Sequence, residues 1–475
     1  MNLLAPFLAS APARGARPAI IAADGASVGY GELIARSVSL AAAWRRRGLD
    51  KGDRVLLAAP LSIDLYVALI ALWRIGAVVV LPEPALGIAG LRHAAAVTRP
   101  KALLTAGWFR LLRYALAELR TIPLSLAPDE HAGGAETLAA VRPDDPALIS
   151  FTSGSTRAPK AIVRSHGMLA RQNACVVELL APRADDAIDL VAFPVFVLAN
   201  LGLGITSVLP NWNLRRHDLA DPAAIARFIR QLRVTRALVP PSICEKLAAM
   251  PVALDAVFTG GGPVFPDLLE RLTAKMPRAD IVTVYGSTEA EPIAHVRAAD
   301  IGAEDWRAMR GGAGLLVGHP VAAIELLIRD DEIAVTGDHV NKGYLDPADN
   351  PGAKLTIGER VWHRTGDAGR LDAAGRLWLL GRQDGAIAGL FPFCVEAATR
   401  YWPGVACSAL VGIEGRAVLA IAGDTGSLDV WKQKAAALGD IRVVPMRSIP
   451  LDRRHRSKVD YPALRRSLSA AGEAR

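Results

Sequence analysis

The stretch 150–163, SFTSGSTRAPKAIV, crowds four hydroxyls and a glycine into residues 152–156, between two apolar runs, and then places a Pro-Lys pair. The hydroxyls of Thr152, Ser153, Ser155 and Thr156 can donate to phosphate oxygens, and Gly154 lets the backbone approach closely. Successive N–H groups there can form an anion nest, with Lys160 adding a positive charge. The GxxxxGK[ST] spacing of the Walker loop is absent, so that phosphate loop is excluded. On its own a Ser/Thr/Gly cluster reads equally as a turn. The rest of the chain decides between the two.

Working outward, helical and strand patterns alternate. YGELIARSVSLAAAWRRRGL (30–49) has apolar residues at helical spacing, and DRVLLAAP (53–60) is a buried-strand run. IDLYVALIALWRIGAVVVLPEP (63–84) reads as a helix, a Gly break and a strand, and KALLTA (101–106) as a further strand. The rhythm continues through DLVAFPVF (189–196), AAIARFIRQLRVTRALVPP (223–241), LDAVFTGGGP (254–263) and ADIVTVYGSTEAE (279–291). Beyond residue 310 the texture becomes β-rich, with strands separated by Asp-Gly-type turns. The last ninety or so residues are shorter βα units, with a helix near 428–438. The expected fold class is α/β: a large N-terminal domain (1–380) of αβ subdomains plus a β-rich subdomain, a hinge at 381–385, and a small mobile α+β C-terminal domain (386–475).

Size and composition agree. A chain of 475 residues with 51% hydrophobic and 21% charged residues is globular in type. It exceeds the roughly 250–300 residues at which single cores stop growing. No apolar run reaches the roughly 18–20 residues of a membrane span. The start lacks a basic segment followed by a sustained apolar one, so we expect mature, cytoplasmic sequence. The four cysteines, Cys175, Cys244, Cys394 and Cys407, are far apart, which argues against a zinc site or a disulfide framework. The net charge of +8 fits either an Arg-rich solvated surface or attraction to anionic substrates such as nucleotides or an acidic carrier protein. No zinc-finger spacing, aromatic RNA-binding strand or basic arm is present, so nucleic acid is not an expected partner.

Three further segments give the first its meaning. VYGSTEAEPIA (284–294) ends a strand in a small-residue turn followed by Glu289, a carboxylate suited to Mg²⁺ beside phosphates, with Tyr285 able to stack on a base. VWHRTGDAGRLDAAGRLWLLGRQDG (361–385) offers Asp367 for paired ribose hydroxyls, then Arg382 and Asp384. IPLDRRHRSKVDYPALRRSL (449–468) is a basic loop carrying Lys458 into a helix. Singly these are a capped helix, a hairpin and a basic tail. Together and in this order they are specific.

From about residue 15 to 470 the chain resembles the adenylate-forming superfamily of acyl-CoA synthetases, peptide-synthetase adenylation domains and luciferases. FTSGSTRAPK resembles the TSGTTGxPK loop, YGSTE the YGxTE element, HRTGD the RTGD element, GRQD the hinge motif and SKVDYPAL the final lysine segment. AFPVFVLANLGLG, WPGVACSALVGI and PLDRRHRSKV are similar to the branch holding the β-lactone synthetases of olefin biosynthesis and related fatty-acid ligases. AIAGLFPFCVEAATR (386–400) departs from the wider family and is closer to that branch.

The resemblance implies an AMP-forming acid ligase using ATP and Mg²⁺. A carboxylate attacks the α-phosphorus of ATP, giving acyl-AMP and pyrophosphate; catalysis is mainly positioning and charge stabilisation. Thr152, Ser153, Gly154, Ser155, Thr156 and Lys160 would cradle the β- and γ-phosphates, with Glu289 and Thr156 on the metal. Gly261, Gly262, Tyr285, Gly286, Ser287 and Thr288 would surround adenine and the α-phosphate, and Asp367 with Arg382 would hold the ribose. Lys458 would place its ammonium between carboxylate and α-phosphate, and Asp384 would be the hinge.

Phe193, Phe196, Val197, Asn200, Gly262 and Glu291 would face the acid, with His295 near. The run Phe193–Leu203 reads either as a lipophilic acyl pocket or as core. Members that activate α-amino acids carry an Asp in this segment to hold the ammonium; residues 196–202 contain no acid, so the resemblance does not lead us to expect an α-amino acid substrate. Val197 stands where many CoA ligases have His. A fatty, β-hydroxy or β-keto acid is expected, passed to CoA or to a carrier-protein thiol. The alternatives are closure of a β-hydroxy acid to a β-lactone, or a degenerate nucleotide-binding relative.

Arg157 occupies the position of a family glycine. It either contacts phosphate, points to solvent because the turn needs no positive φ, or weakens ATP use. Arg157→Gly is expected to leave ATP–pyrophosphate exchange within a few-fold. A loss of about a hundredfold, equivalent to ~2.7 kcal/mol, would instead make the arginine a phosphate ligand.

Overall fold

Runs such as Val55–Leu57 and Val78–Val80 are apolar on consecutive residues, as strands covered on both faces must be. In the computed structural model, which describes residues 2–82, 86–133, 137–152, 159–182, 186–452 and 458–473 (side chains to 469), they lie inside parallel sheets. The chain divides into two compact units. The first holds Met1–Arg215, Arg227–Leu238 and Asp338–Pro351; the second holds Arg216–Ala226, Val239–Gly337 and Gly352–Arg475.

One sheet of the first unit runs in the order Leu124–Leu126, Ala102–Thr105, Arg54–Ala58, Val78–Leu81, Pro146–Phe151, Ala161–Ser165, and only its last pair is antiparallel. A second set places Arg236–Val239, Ile188–Val191, Thr206–Val208 and Pro18–Ile21 side by side in parallel, with Ser27–Gly29 antiparallel at the edge. The helix Ile63–Ile75 is capped by the Ser62 hydroxyl, which accepts from Leu65 N–H, and its turns from Tyr66 onward are buried. Within the second set, two neighbouring strands carry a buried charged pair. Arg236 donates to both Asp189 oxygens at 2.7 and 2.8 Å and to the Leu180 carbonyl at 2.6 Å. Removing one member of such a pair costs ~3–5 kcal/mol, because the other is left charged and dry.

In the second unit Ala256–Gly260 and Asp280–Ser287 are parallel. The sheet continues antiparallel through Ala290–Arg297, Leu315–Pro320, Leu377–Arg382, Arg360–Leu371, Glu332–Gly337 and Ile324–Arg329, so the β-rich texture read beyond residue 310 is real. The same unit ends in a three-stranded sheet, Val405–Ile413 antiparallel to Arg416–Gly423 and that strand parallel to Ile441–Met446. Alternation splits its residues between two cores. Leu410, Leu419 and Ile421 face Trp431 and Val395, while Ala409, Val411 and Val418 face Leu464 and Leu468. The expected boundary at 381–385 lies within this unit, where Gln383–Gly385 forms a single 3-10 turn. Among the described residues no helix is long and apolar enough to cross a membrane.

His166 begins the helix His166–Leu180, is fully buried, and accepts the Leu3 N–H at Nδ1 over 3.3 Å. Burial pushes its imidazole down to about 4, although Asp145 pulls the other way. Because the folded value lies below the unfolded one near 6.5, the stability it contributes is present above that pH. It is lost as pH falls toward 4. His166→Gln should therefore flatten part of the decline in melting temperature between pH 6.5 and 4; an unchanged slope would assign that decline to other groups.

Candidate active site

The residues singled out in the sequence fall into two sets, one in each unit. In the second unit, Gly260 pairs with Val284, and a Cβ on Gly260 would lie 2.3 Å from the Val284 carbonyl oxygen. Only glycine lets these strands meet there. Asp280–Ser287 then ends in the turn at Thr288 and Glu289, both half-buried.

Asp367 is the centre of this set. It sits opposite Arg382 across the paired strands Arg360–Leu371 and Leu377–Arg382. Tyr285 O–H donates to its Oδ2 at 2.9 Å, and Arg382 donates to its Oδ1 at 2.9 Å and to the Thr365 carbonyl at 3.2 Å. Gly366 has φ +68°, and a Cβ on it would stand 2.6 Å from the Arg382 guanidinium. The glycine of the HRTGD element thus makes room for the arginine of GRQD. Burial pushes the Tyr285 phenol well above its usual 10, and the Asp367 charge adds to that, so Tyr285 stays a donor. The Asp367 side chain keeps 20% of its surface exposed, enough to accept from a ligand.

His363 was not singled out in the sequence, although it precedes the RTGD element directly. It is buried, with Nδ1 at 3.2 Å from the Ala353 carbonyl and 3.4 Å from Lys354 Nζ. Burial first, and Lys354 second, push it down to about 4, against the pull of Glu289 and Asp367. It is a neutral imidazole within electrostatic reach of both carboxylates. Glu332 was missed as well. It accepts from the Gly366 N–H at 3.1 Å and from Arg364 at 2.7 Å, and so fixes the turn before Asp367.

This set fits a nucleotide. Ser287 Oγ is buried directly before the turn bearing Glu289, with no hydrogen-bond partner among the described residues, and can donate to or accept from a ligand there. Gly261 is exposed, and Gly262, Gly286 and Glu291 are half-buried around the same strand ends. Lys458 lies elsewhere in the unit, exposed, with its N–H on Asp452 Oδ1 at 3.0 Å. Asp384 lies in the 3-10 turn, its carbonyl 3.4 Å from the Arg465 guanidinium.

In the first unit, Ser153, Gly154, Ser155, Thr156 and Arg157 lie outside the described residues. The base of their loop is described. Thr152 N–H donates to the Lys160 carbonyl at 3.0 Å, and Lys160 N–H returns to Thr152 Oγ1 at 3.2 Å. This closes a hairpin between Pro146–Phe151 and Ala161–Ser165. The Lys160 ammonium donates to the Asp349 carbonyl at 2.9 Å and stands over the Tyr344 ring at 4.8 Å, two contacts the sequence did not suggest.

Of the expected acyl-facing residues in this unit, Phe193 and Phe196 are half-buried and meet edge to face at 5.8 Å. Val197 and Asn200 are fully buried. Asn200 Nδ2 donates to Asp189 Oδ2 at 3.0 Å and Ser207 Oγ at 3.1 Å, which ties the helix Phe196–Leu203 to the core ion pair. Phe196 and Leu198 also line an apolar cavity of about 60 Å³ with Phe7, Trp73 and Val176. Part of this apolar run is therefore core.

If Asp367 receives ribose hydroxyls, Asp367→Ala should weaken AMP binding, measured by calorimetry, by about ten- to a hundredfold, in line with ~1.5–3 kcal/mol for hydrogen bonds to a charged group. Gly366→Ala should do the same by displacing Arg382. Unchanged AMP affinity in Asp367→Ala would remove the carboxylate from the nucleotide site.

Comparison with known proteins identifies the family of the chain. The AMP-binding enzyme family matches residues 7–345. An olefin beta-lactone synthetase of Stenotrophomonas maltophilia (strain K279a) is 32% identical over 450 residues, covering 84% of this chain and 81% of that protein. A feruloyl-CoA synthase of an Amycolatopsis species is 30% identical over 409 residues, covering 82% and 81%. Among solved structures, ATP-bound MatB from Rhodopseudomonas palustris superposes with a TM-score of 0.82 at 23% identity, covering 98% of each chain. That last likeness concerns the fold, which is the α/β and β-rich organisation described above. The chain belongs to the AMP-binding enzyme family and is an AMP-forming acid ligase.

Proposed function

We propose that this chain joins a lipophilic carboxylic acid to the AMP moiety of ATP, releases pyrophosphate, and closes or transfers the acyl group in a second step. The observation that carries the reading is Asp367, held between Tyr285 and Arg382 while still accessible, beside a half-buried Glu289.

The acid's carboxylate oxygen bonds to the α-phosphorus and the bond to the pyrophosphate oxygen breaks. Asp367 accepts from the ribose hydroxyls. Tyr285 and the Gly261–Gly262 backbone flank the base. Thr152 and Lys160, at the ends of the hydroxyl-rich loop, set where that loop meets the leaving diphosphate. Lys458 brings a compact positive charge to the place where two anions must meet. Asp384 is the pivot, where a few backbone angles reorient the segment after it between steps, and 381–385 is then the domain boundary. Mg²⁺ would be held by Glu289 and Thr156 together with phosphate oxygens, the usual sparing use of protein ligands by this ion, and would neutralise charge on the triphosphate.

For the second step, similarity to the olefin beta-lactone synthetases supports an internal acceptor. The β-hydroxyl oxygen of the activated acid bonds to its own acyl carbon, the carbon–oxygen bond to AMP breaks, AMP leaves with the electron pair, and the hydroxyl proton passes to solvent. Similarity to the feruloyl-CoA synthases supports the second reading, transfer to the thiol of CoA or of a carrier protein.

Incubation with ATP, Mg²⁺ and decanoate, 3-hydroxydecanoate or 4-coumarate should release pyrophosphate with at least one acid. Mass analysis without added thiol should then find a β-lactone from the 3-hydroxy acid. A thioester formed only with CoA or a carrier protein would favour the second reading, and no pyrophosphate from any acid would leave a nucleotide-binding relative. Lys458→Ala should slow pyrophosphate release by about a hundredfold or more while sparing a preformed acyl-adenylate. Equal loss in both steps would show the lysine misassigned.

A further inference from the structure

The stretches on either side of the loop that ends at Lys458 are hydrogen-bonded to each other and packed on the core. Asp452 N–H donates to the Lys458 carbonyl at 2.8 Å, Lys458 N–H returns to Asp452 Oδ1 at 3.0 Å, and Asp460 N–H donates to the Pro450 carbonyl at 2.9 Å. Leu451 and Val459 form the bridge between these two stretches. Val459 and Tyr461, the latter the first residue of the helix Tyr461–Glu473, pack onto the core around Ala409, Val411, Ile449 and Leu464, while Lys458 is exposed.

Tyr461 takes its hydroxyl inward with it, and a buried phenol needs an acceptor. It finds Glu396 Oε1 at 2.8 Å. The same oxygen accepts the Leu410 N–H at 3.0 Å, and Glu396 is 2% exposed. One carboxyl oxygen therefore joins three elements: the helix Pro392–Thr399, the strand Val405–Ile413 and the start of the helix Tyr461–Glu473, three residues after Lys458. No role assigned above uses either residue.

We propose that Tyr461 and Glu396 are positioning residues for Lys458, their hydrogen bond setting where the lysine segment stands on its sheet. The proposal rests on the reading of Lys458 as the lysine of adenylation. The demand for placement is strict, since an error of about 1 Å at a reacting centre can cost on the order of a hundredfold. An acceptor oxygen is what the arrangement needs. Burial pushes Glu396 up to about 7 against the Leu410 and Tyr461 donors and Arg400, so near neutrality its carboxyl is often uncharged. Burial and Glu396 hold the Tyr461 phenol well above its usual 10, so it remains the donor. Glutamine keeps an acceptor oxygen in place; phenylalanine at 461 removes the donor while filling the same apolar space.

The test compares wild type, Tyr461→Phe, Glu396→Gln and Lys458→Ala. It measures pyrophosphate release with the best acid of the panel above, ATP affinity by calorimetry, melting temperature, and amide hydrogen exchange across 450–461. Tyr461→Phe should slow pyrophosphate release about tenfold or more, with ATP affinity and melting temperature near wild type. It should also speed exchange at the Asp452 and Asp460 amides. Glu396→Gln should stay within a few-fold of wild type in every measurement. Wild-type release and wild-type exchange in Tyr461→Phe would overturn the proposal, as would damage in Glu396→Gln equal to that in Tyr461→Phe. Full release by Lys458→Ala would sink the lysine assignment instead. Exchange reads the anchoring directly, so it decides the Tyr461–Glu396 attachment even for a protein that turns over no acid.

Discussion

A carboxylate shared between a phenol and a guanidinium organises the second unit. Asp367 can be held at both oxygens only because its strand and the strand of Arg382 put the two residues directly opposite, and because Gly366 leaves room for the guanidinium. Tyr285 reaches the same carboxylate from the strand that leads into Glu289. Three sequence elements some eighty and fifteen residues apart are thereby locked to one atom group. Arg382 also stands two residues before Asp384, at the start of the 3-10 turn Gln383–Gly385. A preorganised polar cluster of this kind spends its reorganisation cost in folding, before the ligand arrives.

The contrast with Asp189 shows why one aspartate is a ligand candidate and another is not. Asp189 also meets an arginine through both oxygens, but its side chain has no exposed surface and its remaining capacity is taken by Asn200. It is fully used inside the core, where it fixes strands and the helix Phe196–Leu203. Asp367 keeps a fifth of its surface, and its arginine is nearly half exposed. Residue type alone does not separate the two; accessibility and unspent hydrogen-bonding capacity do.

That distinction marks how much of the molecule could be read in advance. The helix Ile63–Ile75 and the strands Arg54–Ala58 and Val78–Leu81 stand out because long apolar runs bounded by Ser62 and Gly76 have few other outcomes. Tyr285, Asp367 and Arg382 were visible as motif residues, and the structure supplies their mutual contacts. What stayed hidden was non-local. The partner of Asp189 lies 47 residues away, and the interleaving of two units at 215, 227, 238 and 338 follows from contacts no window of sequence contains. His363 was hidden for another reason: its neutral state comes from burial and Lys354, and neither is a local signal. The edge hairpin Pro18–Ile21 and Ser27–Gly29 is simply too short to show a period.

The two steps place different demands on the protein. Adenylation must bring an anionic acid against an anionic phosphate, so it needs charge delivered from a rigid mount. In the role proposed for Lys458, that mount would be the bridge between Leu451 and Val459, with Val459 on the core and Lys458 exposed beside it. The second step depends on the acceptor. A thiol must be bound, oriented and deprotonated at a site of its own. A β-hydroxyl on the acid is already tethered two carbons from the acyl carbon, so no second substrate has to be bound, but its attack closes a strained four-membered ring and must be driven by the activated acyl–AMP bond. On the reading proposed above, lactone closure thus replaces the binding of a thiol by the task of holding the acyl chain folded against ring strain.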